Sequence, residues 1–195
     1  MNEEDPDDAT PLDPDESEGL IPGHITTREE LNEWETANIL DVEGWAFARK
    51  HPSLLSLSFI RDLHARMFGE TWSWFGEFRR SEKNIGVPWE QIPMALRDLC
   101  DDVAYWIENG TYDLDEAAAR FHHRLTQIHP FPNGNGRHAR LMTDLLLRAN
   151  GARRFAWGRG DLNRSGDVRD RYIRALRAAD DHDYDPLLRF LGRGS

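Results

Sequence analysis

Apolar positions recur at intervals of three and four along most of the chain, the period of helices that bury one face. Thr27 followed by Glu30 forms a capping-box pattern, and Leu31, Trp34, Val42 and Trp45 continue near one face to about residue 49, which predicts a long first helix. Pro52 and Ser53 restart the chain, and Leu54, Leu57, Ile60, Leu63 and Met67 keep the rhythm up to Gly69. Between Thr71 and Trp89 the period fails. Aromatic residues, Gly76 and Gly86 surround Phe78, Ile85 and Val87 there, a pattern that suits a short β-hairpin flap. Ile92, Leu96, Leu99, Val103 and Ile107 rebuild a helical stripe that stops at Asn109 and Gly110, and Asp113 is placed to cap a helix carrying Ala118, Phe121, Leu125 and Ile128. Pro130, Pro132, Gly134 and Gly136 break that helix, and Leu141, Leu145 and Leu146 resume another until Asn150 and Gly151. Asp167 precedes a stripe of Val168, Tyr172, Ile173 and Leu176, and Asp185 with Pro186 opens a short helix ending at Leu191. The fold class is all-α, with no internal repeat.

A chain of 195 residues is long enough for one hydrophobic core and short for two. Its 39% hydrophobic content, with seven Trp and nine Phe, is sufficient to fill that core. Charge is unevenly placed: residues 1–18 hold nine acids and no Lys or Arg, leaving 26 acids against 24 bases for the rest. A segment so acidic, also carrying Pro6, Pro11 and Pro14, buries too little to offset its ordering entropy, so residues 1–20 are expected to form a mobile tail. The tail either solubilises the protein or docks a basic partner. The single cysteine, Cys100, excludes an intrachain disulfide and a multi-cysteine zinc site, which agrees with a reducing, cytoplasmic location. No apolar run approaches a membrane span, and the acidic N-terminus lacks the basic start of a secretory signal. The acidic balance and the lack of a basic patch with interleaved aromatics disfavour nucleic acid as a partner.

The residues that carry chemistry lie between His129 and Arg140. Gly134 and Gly136 around Asn135 permit backbone angles that turn successive N–H groups inward, and a helix N-terminus follows at once, which makes an anion cradle. Arg137 and Arg140 are spaced i, i+3 on that helix, so both can face the same bound phosphates, with a di- or triphosphate the best fit. His129 ends the preceding helix, where imidazole can take a proton from a hydroxyl near neutral pH. The competing reading is a glycine-rich turn with solvated arginines and a histidine satisfied by a backbone carbonyl.

The stretch His129-Pro-Phe-Pro-Asn-Gly-Asn-Gly-Arg-His-Ala-Arg140 resembles the signature of Fic domains, H-x-F-x-[D/E]-G-N-G-R-x-x-R, at every defined position except the acid. Trp72 to Arg79, Asn84-Ile-Gly86 and Arg171 through Leu187 are similar to further family segments, so the resemblance covers roughly residues 50–190. Glu30 to Ile39 also resembles the subgroup called mobile mystery protein B. The resemblance implies an accessory N-terminal region at 21–49, a Fic-like catalytic domain at 50–195, and transfer of AMP from ATP, with Mg²⁺ or Mn²⁺, to a Ser, Thr or Tyr hydroxyl of a protein substrate. It further implies that His129 is the base and Phe131 a structural plug. Gly134, Asn135 and Gly136 become the anion hole, with Arg137 and Arg140 the outer phosphate clamp. Arg79, Asn84, Ile85 and Gly86 become the flap that docks the target. The family's metal-holding acid is Asn133 here, and a neutral amide oxygen attracts a hard cation less.

Many family members also carry a glutamate that pairs with the final motif arginine and blocks the outer phosphate. No strict copy of that motif occurs, but Glu35, Glu43 and Glu30 are candidates, with Glu35 favoured for its central helical position and Arg140 as the expected partner. Three functions stay open at this point. They are an adenylyltransferase, a phosphodiester hydrolase in which His129 handles water, and a non-catalytic module that binds nucleotide or a regulatory protein. His122 and His123 read as core or surface residues rather than a metal pair, because adjacent side chains diverge and no third ligand follows. Trp72 and Trp74 read as core packing under the flap in preference to a base-stacking platform.

Overall fold

In the computed structural model, which describes residues 18–25, 27–160, 162 and 166–192, each predicted helical stripe becomes a helix. α1 spans Arg28–Phe47 and starts from the expected capping box: the Thr27 hydroxyl accepts the Glu30 N–H at 3.2 Å and the Glu30 carboxylate accepts the Thr27 N–H at 3.0 Å. α2 spans Leu57–Phe68, later than Pro52 and Ser53 suggest, because Ser56 is the residue whose hydroxyl accepts the Phe59 N–H. α3 (Ile92–Asn109) ends at Gly110 with φ +60°, and α4 (Leu114–Ile128) is capped by Asp113, which accepts the Glu116 N–H at 2.8 Å. α5 spans Asn135–Ala149, α6 Asp167–Asp180 and α7 Asp185–Leu191. Asp167 and Asp185 are the first helical residues rather than caps, where their charge complements the helix N-terminus.

The pair α4 and α5 forms the centre: α3 and α7 pack on α4, and α1 and α2 pack on α5. Buried side chains from all of these elements form one core, including Ile60, Leu63, Phe68, Leu96, Phe121, Phe131, Met142 and Leu187. The helix carrying both motif arginines is thus held on three sides by other helices. No helix among the described residues is long and apolar enough to cross a membrane.

The flap departs from the expected hairpin, since the described residues of 71–89 contain no strand beyond the single antiparallel bridge between Leu20 and Trp72. Beyond two short turns at residues 72–77, its backbone pairs with the motif region. The Arg79 N–H reaches the Pro130 carbonyl at 2.9 Å and the Val87 N–H the Ile128 carbonyl at 3.4 Å. The Arg79 guanidinium then takes the Ser81 and Val87 carbonyls that a ladder would have used. Near the N-terminus, Ile21 N–H donates to the Thr71 carbonyl and Ser73 N–H to the Gly19 carbonyl, both at 2.8 Å, so residues 19–21 are tied to the segment after α2. The acidic stretch up to residue 17 lies outside the described residues.

Candidate active site

The loop between α4 and α5 is folded by side chains aimed at its own backbone. α4 stops at His129, whose φ of +52° is left-handed and whose N–H closes on the Leu125 carbonyl. Phe131 is fully buried and stacks on His64 with ring centres 3.7 Å apart. The Asn135 amide accepts the Phe131 N–H at 2.8 Å and donates to the Phe131 carbonyl at 2.7 Å, closing the loop into a ring. His64 bridges this loop to the flap base: its Nδ1 accepts the Gly76 N–H at 3.1 Å and its Nε2 donates to the Asn133 carbonyl at 3.1 Å. Both bonds require the neutral ring with hydrogen on Nε2. Burial, with His138 nearby, accordingly holds His64 well below the usual histidine range. Gly134 needs its φ of +77°, and a Cβ there would collide with the Phe68 ring.

This folding leaves the N-terminus of α5 facing a cleft of about 780 Å³. The first N–H groups of a helix have no partner within it, so this end attracts anions. Asn135, Gly136, Arg137 and Arg140 line one wall, His129 with Asn84, Ile85 and Gly86 another, and Tyr172, Ile173, Leu176 and Arg177 of α6 a third. The volume lies in the range of small-molecule sites.

The two motif arginines have different partners. Arg137 forms an ion pair with Glu35 at 2.7 Å, and Glu35 is 1% exposed with its other oxygen accepting the Trp72 indole N–H at 2.8 Å. Glu35 therefore reaches the motif, but at Arg137 and not at the expected Arg140. Register explains the difference, because α1 crosses α5 near its first turn and the Trp72 indole fixes the carboxylate there. Glu30 is held in its own cap, and Glu43 pairs with Arg154 at 3.1 Å, which also binds Asp144 at 2.8 Å. Arg140 instead lies beside the Tyr172 hydroxyl on the cleft lining. Burial lowers its pKa and the neighbouring Arg137 and Arg169 add to that, while Tyr172 and Asp144 oppose it.

His129 is buried, and burial together with the charges of Arg79 and Lys83 pushes its imidazole down to about 4. At neutral pH the ring is therefore uncharged, with a hydrogen on one nitrogen and a lone pair on the other. Arg79 supplies more than charge. It is 2% exposed and donates to the His129 carbonyl at 2.7 Å as well as to Ser81, Val87 and Ile128. It is therefore an internal anchor that fastens the flap to the end of α4, and its side chain is not on a docking surface. Gly86 has to be glycine because a Cβ would sit 2.5 Å from the Arg79 guanidinium and 3.1 Å from the His129 Cβ.

The donor set does not fit a resident metal. Asn133 offers a neutral oxygen that already accepts the Gly134 N–H at 2.7 Å, and no group of three or more His, Cys, Asp or Glu among the described residues is arranged to hold an ion. His122 bonds to Tyr172 at 2.7 Å, while His123 bonds to Asp180 at 2.8 Å and to Tyr184 at 3.1 Å, so the two rings engage separate hydroxyl and carboxyl partners.

The Fic/DOC family profile matches residues 54–147. The protein adenylyltransferase Fic of Drosophila mojavensis is 32% identical over 143 residues, 70% of this chain and 27% of that protein. Its counterpart in Aedes aegypti is 32% identical over 142 residues, again 70% and 27%. The chain belongs to the Fic/DOC family. It spans only 27% of the length of these curated relatives. Among solved structures, residues 134–508 of Fic-1 from C. elegans align with a TM-score of 0.64 at 26% identity, covering 90% of this chain and 51% of that one. BepC of Bartonella tribocorum, solved with AMPPNP bound, shares the fold with a TM-score of 0.67 at 18% identity, covering 90% and 95%.

Within this Fic fold, His129, Asn133, Gly134, Asn135, Gly136, Arg137, Arg140, Asn84, Ile85 and Gly86 converge on one cleft. Phe131 is fully buried, and the buried Trp72 stacks on the partly buried Trp74 at 4.9 Å. Two residues that matter were missed by sequence reasoning. His64 drew no reading from the sequence, although its place on the buried stripe of α2 beside Leu63 and Met67 was a signal. Tyr172 read as ordinary core, and only its hydroxyl, which must find a partner when buried, marked it out.

Proposed function

We propose that this Fic protein transfers AMP from ATP to a hydroxyl of a protein substrate. The observation that carries the reading is a neutral His129 sharing one cleft with the α5 N-terminus and two arginines. The triphosphate would lie against the backbone N–H groups at Asn135 and Gly136, with its outer phosphates toward Arg137 and Arg140. A Ser, Thr or Tyr oxygen then attacks the α-phosphorus and His129 takes its proton. The bond from that phosphorus to the bridging oxygen breaks, and pyrophosphate leaves. The adenylyltransferase named in the insect relatives and the AMPPNP held by BepC are consistent with this assignment. A divalent cation, Mg²⁺ or Mn²⁺, would enter as part of the nucleotide substrate, held by phosphate oxygens in place of a family acid.

The region 21–49 acts as a restraint on the catalytic part 50–195 in this reading. Glu35 matches the charge of Arg137 from a buried position, so ATP must displace it. A regulatory protein that lifts α1 would do the same. The target segment would align along Asn84 to Gly86, where Ile85 is 45% exposed. A cytoplasmic site of action suits the lone thiol of Cys100, which burial pushes up to about 11, beyond ready oxidation. Incubation with ATP labelled at the α-phosphate and candidate proteins tests the transfer, and label left wholly as free AMP would favour hydrolysis instead.

A further inference from the structure

The outer wall of the cleft contains a polar chain that no assigned role uses. Thr143 donates its hydroxyl hydrogen to the Ala139 carbonyl at 2.7 Å, so its oxygen can only accept from His122 Nδ1 at 3.4 Å. That bond places the His122 hydrogen on Nδ1 and leaves Nε2 as an acceptor. The Tyr172 hydroxyl, 2.7 Å from Nε2, must then be the donor, and its oxygen lone pairs are turned to Arg140. Thr126, whose own hydrogen goes to the His122 carbonyl, is the other hydroxyl within reach of the phenol. Turning the phenolic hydrogen toward Thr126 would strip the fully buried His122 Nε2 of its donor, which costs free energy in a dry interior.

We propose that Tyr172, oriented by His122, is a positioning residue that aims the Arg140 guanidinium at the outer phosphate. The inference rests on the reading that the cleft holds a nucleoside triphosphate. A neutral phenol can fix the direction of a guanidinium without adding a charge that competes with an anion. Arg137 is held by a carboxylate and has to be released first. One arginine is gated and the other is poised, and the difference lies in their partners.

The test is a double-mutant cycle read by ATP and AMP affinity in the full chain, with thermal stability followed in parallel. Tyr172→Phe should weaken ATP by about three- to tenfold, the span of one neutral hydrogen bond, and leave AMP unchanged because AMP has no outer phosphate. In an Arg140→Ala background, Tyr172→Phe should have no further effect on ATP. His122→Leu should reproduce the loss, whereas His122→Gln, which retains an acceptor for the phenol, should restore ATP affinity; this pair decides the matter if Tyr172→Phe is poorly folded. A Tyr172→Phe effect that persists without Arg140, or that falls equally on AMP, overturns the proposal while leaving the transferase reading intact. Wild-type protein that binds neither nucleotide overturns both.

Discussion

Replacing Glu35 by Gln isolates the charge of the restraint from its packing. The amide keeps an oxygen for the Trp72 indole, which now donates at 2.8 Å, so the buried N–H stays satisfied. What disappears is the negative charge 2.7 Å from Arg137. A charge-assisted bond of this kind, on a carboxylate 1% exposed and an arginine 14% exposed, is worth about 1.5–3 kcal/mol. ATP must replace it in the wild type and need not in the variant, so ATP affinity should rise about 10- to 100-fold and AMP transfer at subsaturating ATP with it. Some of the gain returns as lost stability, since Arg137 is left without its partner in the free protein. Titration calorimetry with ATP on both proteins, alongside thermal denaturation, reads the two effects separately. An unchanged or weaker ATP affinity in a folded Glu35→Gln protein would refute the restraint and return α1 to the role of scaffold.

Asn133→Asp keeps the acceptor for the Gly134 N–H and adds a charge, so it should raise the transfer rate and sharpen dependence on Mg²⁺; a variant no faster and no more metal-dependent would remove residue 133 from the nucleotide. Arg140→Ala should weaken ATP binding more than ADP binding, and equal losses would move Arg140 off the outermost phosphate. The buried histidines predict an acid-labile fold. His122, His129 and His138 are pushed down to about 3, 4 and 4, so the unfolded chain binds protons first as pH drops below about 6.5 and stability falls with it. At pH 5 each costs about 2 kcal/mol, together a large share of the stability of a typical domain. Circular dichroism against pH should show loss of the fold between about pH 4 and 6, and a transition confined to pH 3 or below would contradict it.

The helices were legible because they rest on local signals: the Thr27 capping box, Asp113 before α4, and Gly110 after α3 all act within one turn. The flap was not, because its backbone bonds go to Ile128 and Pro130, some 40 to 50 residues away, through a guanidinium that periodicity cannot register. Glu35 drew attention by its central place in α1, but its partner, Arg137 and not Arg140, depended on how α1 seats against α5, which no spacing encodes. The cleft's motif wall could be read in order from His129 to Arg140, whereas Tyr172 and His122 meet across 50 residues and announce themselves only once α4 and α6 are docked. His64 illustrates the same limit, since a histidine on an apolar stripe gives no hint that both of its nitrogens brace the motif loop.

The most direct test uses Glu35→Gln protein, freed of its restraint, with ATP labelled at the α-phosphate, Mg²⁺ and host lysate, compared with the same protein carrying His129→Ala. Label should appear on a protein hydroxyl only with His129 present, while ATP affinity stays within a few-fold because the histidine acts on the hydroxyl and the α5 N-terminus holds the phosphates. Equal labelling by the two proteins, or loss of ATP binding in step with loss of transfer, would contradict the assignment of His129 as the base.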